Sequence, residues 1–226
     1  MPQGQTVPPT LDQLGRPGQA AAGPQAAAGR QAATGQRAPG AGPGPDAPHT
    51  GPAPAAEGIW QRTLQWVVAA AVTVALATLT FVGDGWIPIL SAADLVIHEA
   101  GHWLTFWAPA LLCSLAGSFL QVALPLCFAA YFWRRRDGFA VILLIAWAAE
   151  NVNNVAVYVG DAQRMALSLV GDDGSGAGHD WHNILRDLGW LSSTDALAAG
   201  VRAASVCLFV VALGLAVLGF SRAHSS

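Results

Sequence analysis

The sequence contains no lysine, and charged residues of all kinds make up only 11% of its 226 positions. Every fixed positive charge is an arginine, and the net charge is −3, so the chain lacks the basic surface that nucleic-acid binding requires. Cysteine is scarce as well. Cys113, Cys127 and Cys207 each fall in an apolar run, without metal-ligand or thioredoxin-like spacing, and read as small buried hydrophobes. Large apolar side chains are few in residues 1–58, where Pro, Gly, Ala and Gln dominate. Such a segment cannot bury enough surface to offset its ordering entropy and reads as a disordered tail. It does not read as a signal peptide, because the first apolar run begins only near Leu64 and no cleavage-site pattern follows a short apolar core.

What is present in quantity is apolar residues: 53% of the chain, with a mean hydropathy of +0.42. That places it in the membrane class. Residues 59–226 divide into apolar runs of about 20 residues, the length that crosses roughly 30 Å of hydrocarbon as a helix. The expected spans are 64–82, 86–108, 111–133, 138–160 and 198–220, with a polar loop at 161–195. The expected fold is therefore all-α, a polytopic bundle of about five transmembrane helices behind a disordered tail. Trp60 and Trp66 would anchor the first span at the interface. Arg134, Arg135 and Arg136 follow the third span, and by the positive-inside rule they put that side in the cytoplasm and the loop outside. A bacterial cytoplasmic membrane is the expected location.

The second run holds "LVIHEAGHWLTF", residues 95–106. On a helix His98 and His102 are one turn apart and face the same way, so both imidazoles can reach one ion while Glu99 stands beside it to take a proton from a bound water. Asp94, a further turn back, is placed to accept the second ring proton of His98. Ionisable side chains at mid-span are costly and survive with a partner and a purpose, which favours a zinc site over a chance string.

A catalytic zinc generally needs a third protein ligand and an open position. In the fourth run Glu150, Asn154, Tyr158 and Asp161 share one helical stripe, with Asn151 close by. These are the candidates for the third ligand, and His179 in the loop stays open as another. If the second and fourth spans run in the same direction, these candidates converge on one half of the membrane. In "GHDWHNILRDLGWL" the glycine and Asp180 read as a helix N-terminus with Asp180 as its cap, and His182 is read with it. Trp181, Ile184, Leu185 and Leu188 form an apolar face suited to the membrane surface. Ser114, Ser118, Gln121 and Pro125 in the third run read as helix-packing residues.

With these residues in view, the chain resembles the site-2 protease-like intramembrane zinc metallopeptidases. "HEAGH" matches the helical motif of that family fully, and Asn153 precedes Asp161 by the interval of its second motif. Ala156 and Tyr158 stand where that motif has prolines, Gly160 where it has leucine and Ala162 where it has glycine. The resemblance implies His98, His102 and Asp161 as ligands of one zinc ion and Glu99 as general base. Asn154 or His179 is then expected to hydrogen-bond the tetrahedral oxyanion. The expected activity is hydrolysis of peptide bonds in a membrane protein or peptide substrate, at or within the bilayer. The alternative is a non-catalytic metal-binding membrane protein, such as a sensor, transporter or scaffold.

Overall fold

The computed structural model describes residues 54–82, 86–167 and 178–225, with side chains from residue 58 onward. Among them the regular structure is all helix: α1 (Pro54–Phe81), α2 (Pro88–Thr105), α3 (Ala110–Arg134), α4 (Gly138–Gly160), α5 (Asp180–Asp187) and α6 (Thr194–Ser225), with a 3-10 turn at Leu191–Ser193. The expected tail lies outside the described residues up to residue 53, and α1 begins well before the expected start at residue 64.

Among the described residues four helical segments are long and apolar enough to cross a membrane: Gly58–Phe81, Ala110–Arg134, Gly138–Gly160 and Leu191–Ser225. They mark the chain as an integral membrane protein. The expected second span falls short of that set, because α2 has 18 residues and carries Asp94, His98, Glu99 and His102 within them.

The bundle is organised around α4, whose apolar window is 61% buried, against 17–22% for the other three segments. Between helices in lipid the hydrophobic drive is weak and close packing takes over, which small side chains permit. Accordingly Ala69 of α1, Ala146 and Ala149 of α4, and Ala212 and Ala216 of α6 form the core with Ile142 and Phe209. Ser205 Oγ of α6 donates to the Ala149 carbonyl at 2.6 Å, adding a polar tie. Trp66 packs against Gly138 and Gly219; a Cβ on either glycine would come within 2.7 Å of its ring. Trp60, by contrast, is exposed.

Local chemistry explains where the helices end. Pro88 stands in the first turn of α2, where its missing N–H costs nothing. The arginine triplet closes α3: Arg136 adopts φ 59°, and the amides of Arg136 and Asp137 bond back to the carbonyls of Trp133 and Phe132. This is a Schellman motif built on a non-glycine residue. Asp137 then caps α4, accepting from the Ala140 amide at 3.0 Å. α5 ends in the same motif at Gly189, φ 72°.

α5 does not lie with its apolar face on the membrane surface. Ile184 and Leu185 are buried against Val155, Val159, Ala162 and Ala198 of the bundle. Trp181 Nε1 donates to Ser118 Oγ on α3 at 3.0 Å. The polar start of this helix is thereby fixed over the ends of α2, α3 and α4.

Candidate metal centre

α2 and α3 meet closely because both lack side chains at the crossing. A Cβ on Gly101 would strike the carbonyl oxygen of Ala116, and Gly101 and Gly117 are both buried. The histidines of α2 therefore lie directly against the backbone of α3. His102 Nδ1 is 2.9 Å from the Cys113 carbonyl oxygen, and His98 Nδ1 is 3.2 Å from Gln121 Oε1. Both partners are acceptors, so each Nδ1 carries the proton and donates. The lone pairs are left on the two Nε2 atoms.

Both Nε2 atoms point at one carboxylate oxygen. Asp180 Oδ2 lies 3.3 Å from His98 Nε2 and 3.2 Å from His102 Nε2. Three acceptor atoms facing one another repel, and only a positive charge between them, proton or metal ion, makes the arrangement stable. Among the described residues one group of His, Cys, Asp and Glu brings three ligand atoms within 4.8 Å of one another, and it is His98, His102 and Asp180. Two imidazoles and a carboxylate match the donor set of a catalytic zinc site, with room for a further ligand in a tetrahedral shell. Ring N–H bonds to a carbonyl and an amide oxygen supply the outer support that metal-bound histidines need.

The expected third ligands are engaged elsewhere. Asp161 Oδ2 lies 3.3 Å from His179 Nε2 and accepts the Leu167 amide at 2.9 Å, which secures the exit from α4. His179 caps α5, its Nδ1 accepting from the His182 amide at 3.2 Å, so its Nε2 carries the proton given to Asp161. His182 Nδ1 bonds the Ala162 carbonyl oxygen at 2.7 Å. Asp161 and His179 thus anchor the loop, and the cap is His179 where Asp180 was expected. Asp180, freed from capping, is the carboxylate that reaches the histidines.

Two further expectations change. Asp94 does not receive the His98 ring proton; Gln121 does, because Asp94 bonds instead to Trp147 Nε1 at 2.8 Å and Asn151 Nδ2 at 3.2 Å. Cα–Cβ bonds tilt toward a helix N-terminus, so a short carboxylate a turn back reaches away from the ring above it. Asn154, expected at the oxyanion, gives its amide to Glu150 Oε1 at 2.6 Å. Nearer the centre is Tyr158: its hydroxyl accepts the Asp180 amide at 3.0 Å and lies 3.3 Å from Asp180 Oδ2. Glu99 is half-buried, borders a shallow groove formed by Leu95, Val96, Ala100, Trp103 and Leu104, and lies within electrostatic reach of Tyr158.

With protons and no metal in the centre, burial alone would raise the pKa of Asp180, but hydrogen bonds from His102 and His98, then protonated at Nε2 as well, and their charge outweigh it and hold the group at about 2. It is ionised throughout the physiological range. Comparison of the chain with protein-family models, curated proteins and solved structures gave no match.

Proposed function

We propose that this chain is a membrane-embedded zinc metallopeptidase resembling the site-2 protease-like group, hydrolysing peptide bonds of a membrane protein or peptide at or within the bilayer. The observation that carries the reading is the convergence of His98 Nε2, His102 Nε2 and Asp180 Oδ2, with both ring protons committed on the far side.

In this reading α2 is a fifth membrane-embedded helix. At 1.5 Å per residue it is roughly 27 Å long, close to the hydrocarbon thickness. It buries Ser91, Asp94, His98 and Gly101 while Ile89, Val96, Trp103 and Leu104 are exposed. That inside-out distribution suits lipid outside and polar chemistry within. A bacterial cytoplasmic membrane is the proposed location.

His98, His102 and Asp180 would hold the ion. Bound there, zinc supplies Lewis acidity, polarising a carbonyl oxygen and making water more acidic. Glu99 takes a proton from the attacking water and returns it to the leaving amine. Tyr158 orients Asp180 through the amide bond it accepts, and its hydroxyl, which donates to Asp180 Oδ2, would turn that proton to the developing oxyanion, the role first expected of Asn154 or His179. A helical substrate has to unwind locally, because its amides are closed by their own hydrogen bonds.

The test combines zinc content with cleavage of a membrane peptide. Wild type and Glu99→Gln should both bind one zinc, and only wild type should cleave. Zinc bound without cleavage by wild type leaves the non-catalytic sensor, transporter or scaffold, and absence of zinc from wild type removes both readings.

A further inference from the structure

One turn back along α2 from the histidines lies a second polar cluster that the proposed peptide chemistry does not use. Asp94 on α2 is 1% exposed, and Glu150 and Asn151 on α4 are 0% exposed. One oxygen of each carboxyl is bonded: Asp94 Oδ1 to Trp147 and Asn151, Glu150 Oε1 to Asn154. Asp94 Oδ2, Glu150 Oε2 and Asn151 Oδ1 have no hydrogen-bond partner. The two carboxyls lie within hydrogen-bonding reach of each other.

The orientation of the Asn151 amide is fixed by its donors. Its nitrogen donates to two acceptors, Asp94 Oδ1 and the Trp147 carbonyl at 3.1 Å, and turning the amide over would set oxygen against both. Asn153 Oδ1 is also bare, but that amide turns to α1 and donates to the Thr80 carbonyl.

Two ionised carboxylates here carry a charge of −2. The groups acting on them are each other, Trp147, Asn151 and Asn154, all neutral apart from the pair itself. No arginine or histidine forms an ion pair with either carboxyl among the described residues. Buried charge of this kind is not tolerated without compensation. Full neutralisation of the pair therefore takes two positive charges. Two protons meet the need, one of them bridging the carboxyls. A single divalent ion meets it too, with the three bare oxygens as its donors. The donors are oxygen only, which suits hard cations and disfavours zinc.

We propose that Asp94, Glu150 and Asn151 form a second ion site, separate from the histidine centre, which binds a hard divalent cation of the Ca2+ or Mg2+ class through Asp94 Oδ2, Glu150 Oε2 and Asn151 Oδ1 in exchange for two protons. One cation enters, two protons leave, and the charge of the site is unchanged.

The test uses the full chain in detergent micelles under weak buffering, with CaCl2 or MgCl2 as titrant and a pH indicator to count protons. One ion binds saturably with two protons released, and the apparent affinity rises about 100-fold per pH unit where both carboxyls start protonated. Glu150→Gln and Asp94→Asn resemble the protonated forms and keep the fold, checked by unchanged melting, yet lose this binding while retaining zinc. His98→Ala does the reverse, losing zinc and keeping Ca2+ or Mg2+ binding, which separates this site from the metallopeptidase reading. No saturable binding of either ion, fewer than two protons released, or undiminished binding by Glu150→Gln overturns the proposal.

Discussion

Gly117 gives the sharpest test of the metal centre, because its missing side chain is what leaves room there. A Cβ at this position would lie 2.6 Å from both His98 Nε2 and His102 Nε2 and 2.8 Å from His98 Cδ2. That is roughly 0.8 Å inside ordinary van der Waals contact with two ligand atoms at once. Relief requires both imidazoles to retreat, which strains the Nδ1 bonds to Cys113 and Gln121. Losing both would cost about 2 kcal/mol at a net value near 1 kcal/mol each. Against this, alanine is about 1 kcal/mol better than glycine inside a helix. The fold of Gly117→Ala should therefore survive with a loss on the order of 1 kcal/mol.

Metal binding should not survive. Ligand positions are tolerant to about 0.2 Å, and disturbing a single supporting contact already costs roughly 10–100-fold in affinity. Gly117→Ala displaces two ligands together, so a loss of about 100-fold or more is expected, measured by zinc titration and by metal content after purification. Gly200→Ala, where a Cβ meets nothing within 4 Å, is the control and should bind zinc as wild type does. Zinc affinity in Gly117→Ala equal to wild type would refute the placement of the ion between these histidines.

Asp180→Asn should reduce zinc affinity far more than Asp161→Asn, the opposite ranking to the one the sequence motif implies; zinc titration of both decides it. Asp161→Asn should act on stability, by about 1–3 kcal/mol, since His179 would lose its buried charged partner, and denaturant unfolding measures that. Gln121→Leu removes the acceptor that fixes the His98 tautomer and should lower zinc affinity about 10–100-fold with a small change in melting temperature. Arg136→Gly relieves a left-handed backbone and should stabilise the α3–α4 turn by about 1 kcal/mol. In the metal-free protein the ionised Asp180 contributes stability that is complete above the ordinary carboxyl pKa of 3.8 and lost as pH falls toward about 2; Asp180→Asn should flatten this part of the stability profile.

The helical pair His98 and His102 was legible because helical spacing alone puts two imidazoles on one face, and the apolar surroundings made idle histidines improbable. The choice of carboxylate was not. Asp161 sits at a motif interval from Asn153, and spacing along a helix says nothing of a loop that folds back. Asp180 and His179 are adjacent, and which caps α5 and which reaches His98 and His102 depends on where α5 docks. Docking is set by Ile184 and Leu185 against α4 and α6 and by Trp181 on Ser118, contacts remote in sequence. Gln121 offered one signal: a glutamine in an apolar span needs a partner inside the protein. The signal could not name His98 as that partner.

The two clusters on α2 follow from one constraint applied twice. The buried stripe of α2 is Ser91, Asp94, His98 and Gly101, and its three polar side chains must find partners inside the protein because lipid offers none. At the upper level α3 and α5 answer with carbonyl, amide and carboxylate groups that leave two nitrogen lone pairs and one oxygen converging. At the lower level α4 answers with Glu150 and Asn151 and leaves only oxygens. Donor chemistry then separates the ions: a borderline metal above, a hard cation or protons below. If both proposals hold, the same helix carries two sites that a single divalent metal does not satisfy equally, and a variant at one level should selectively lose one ion.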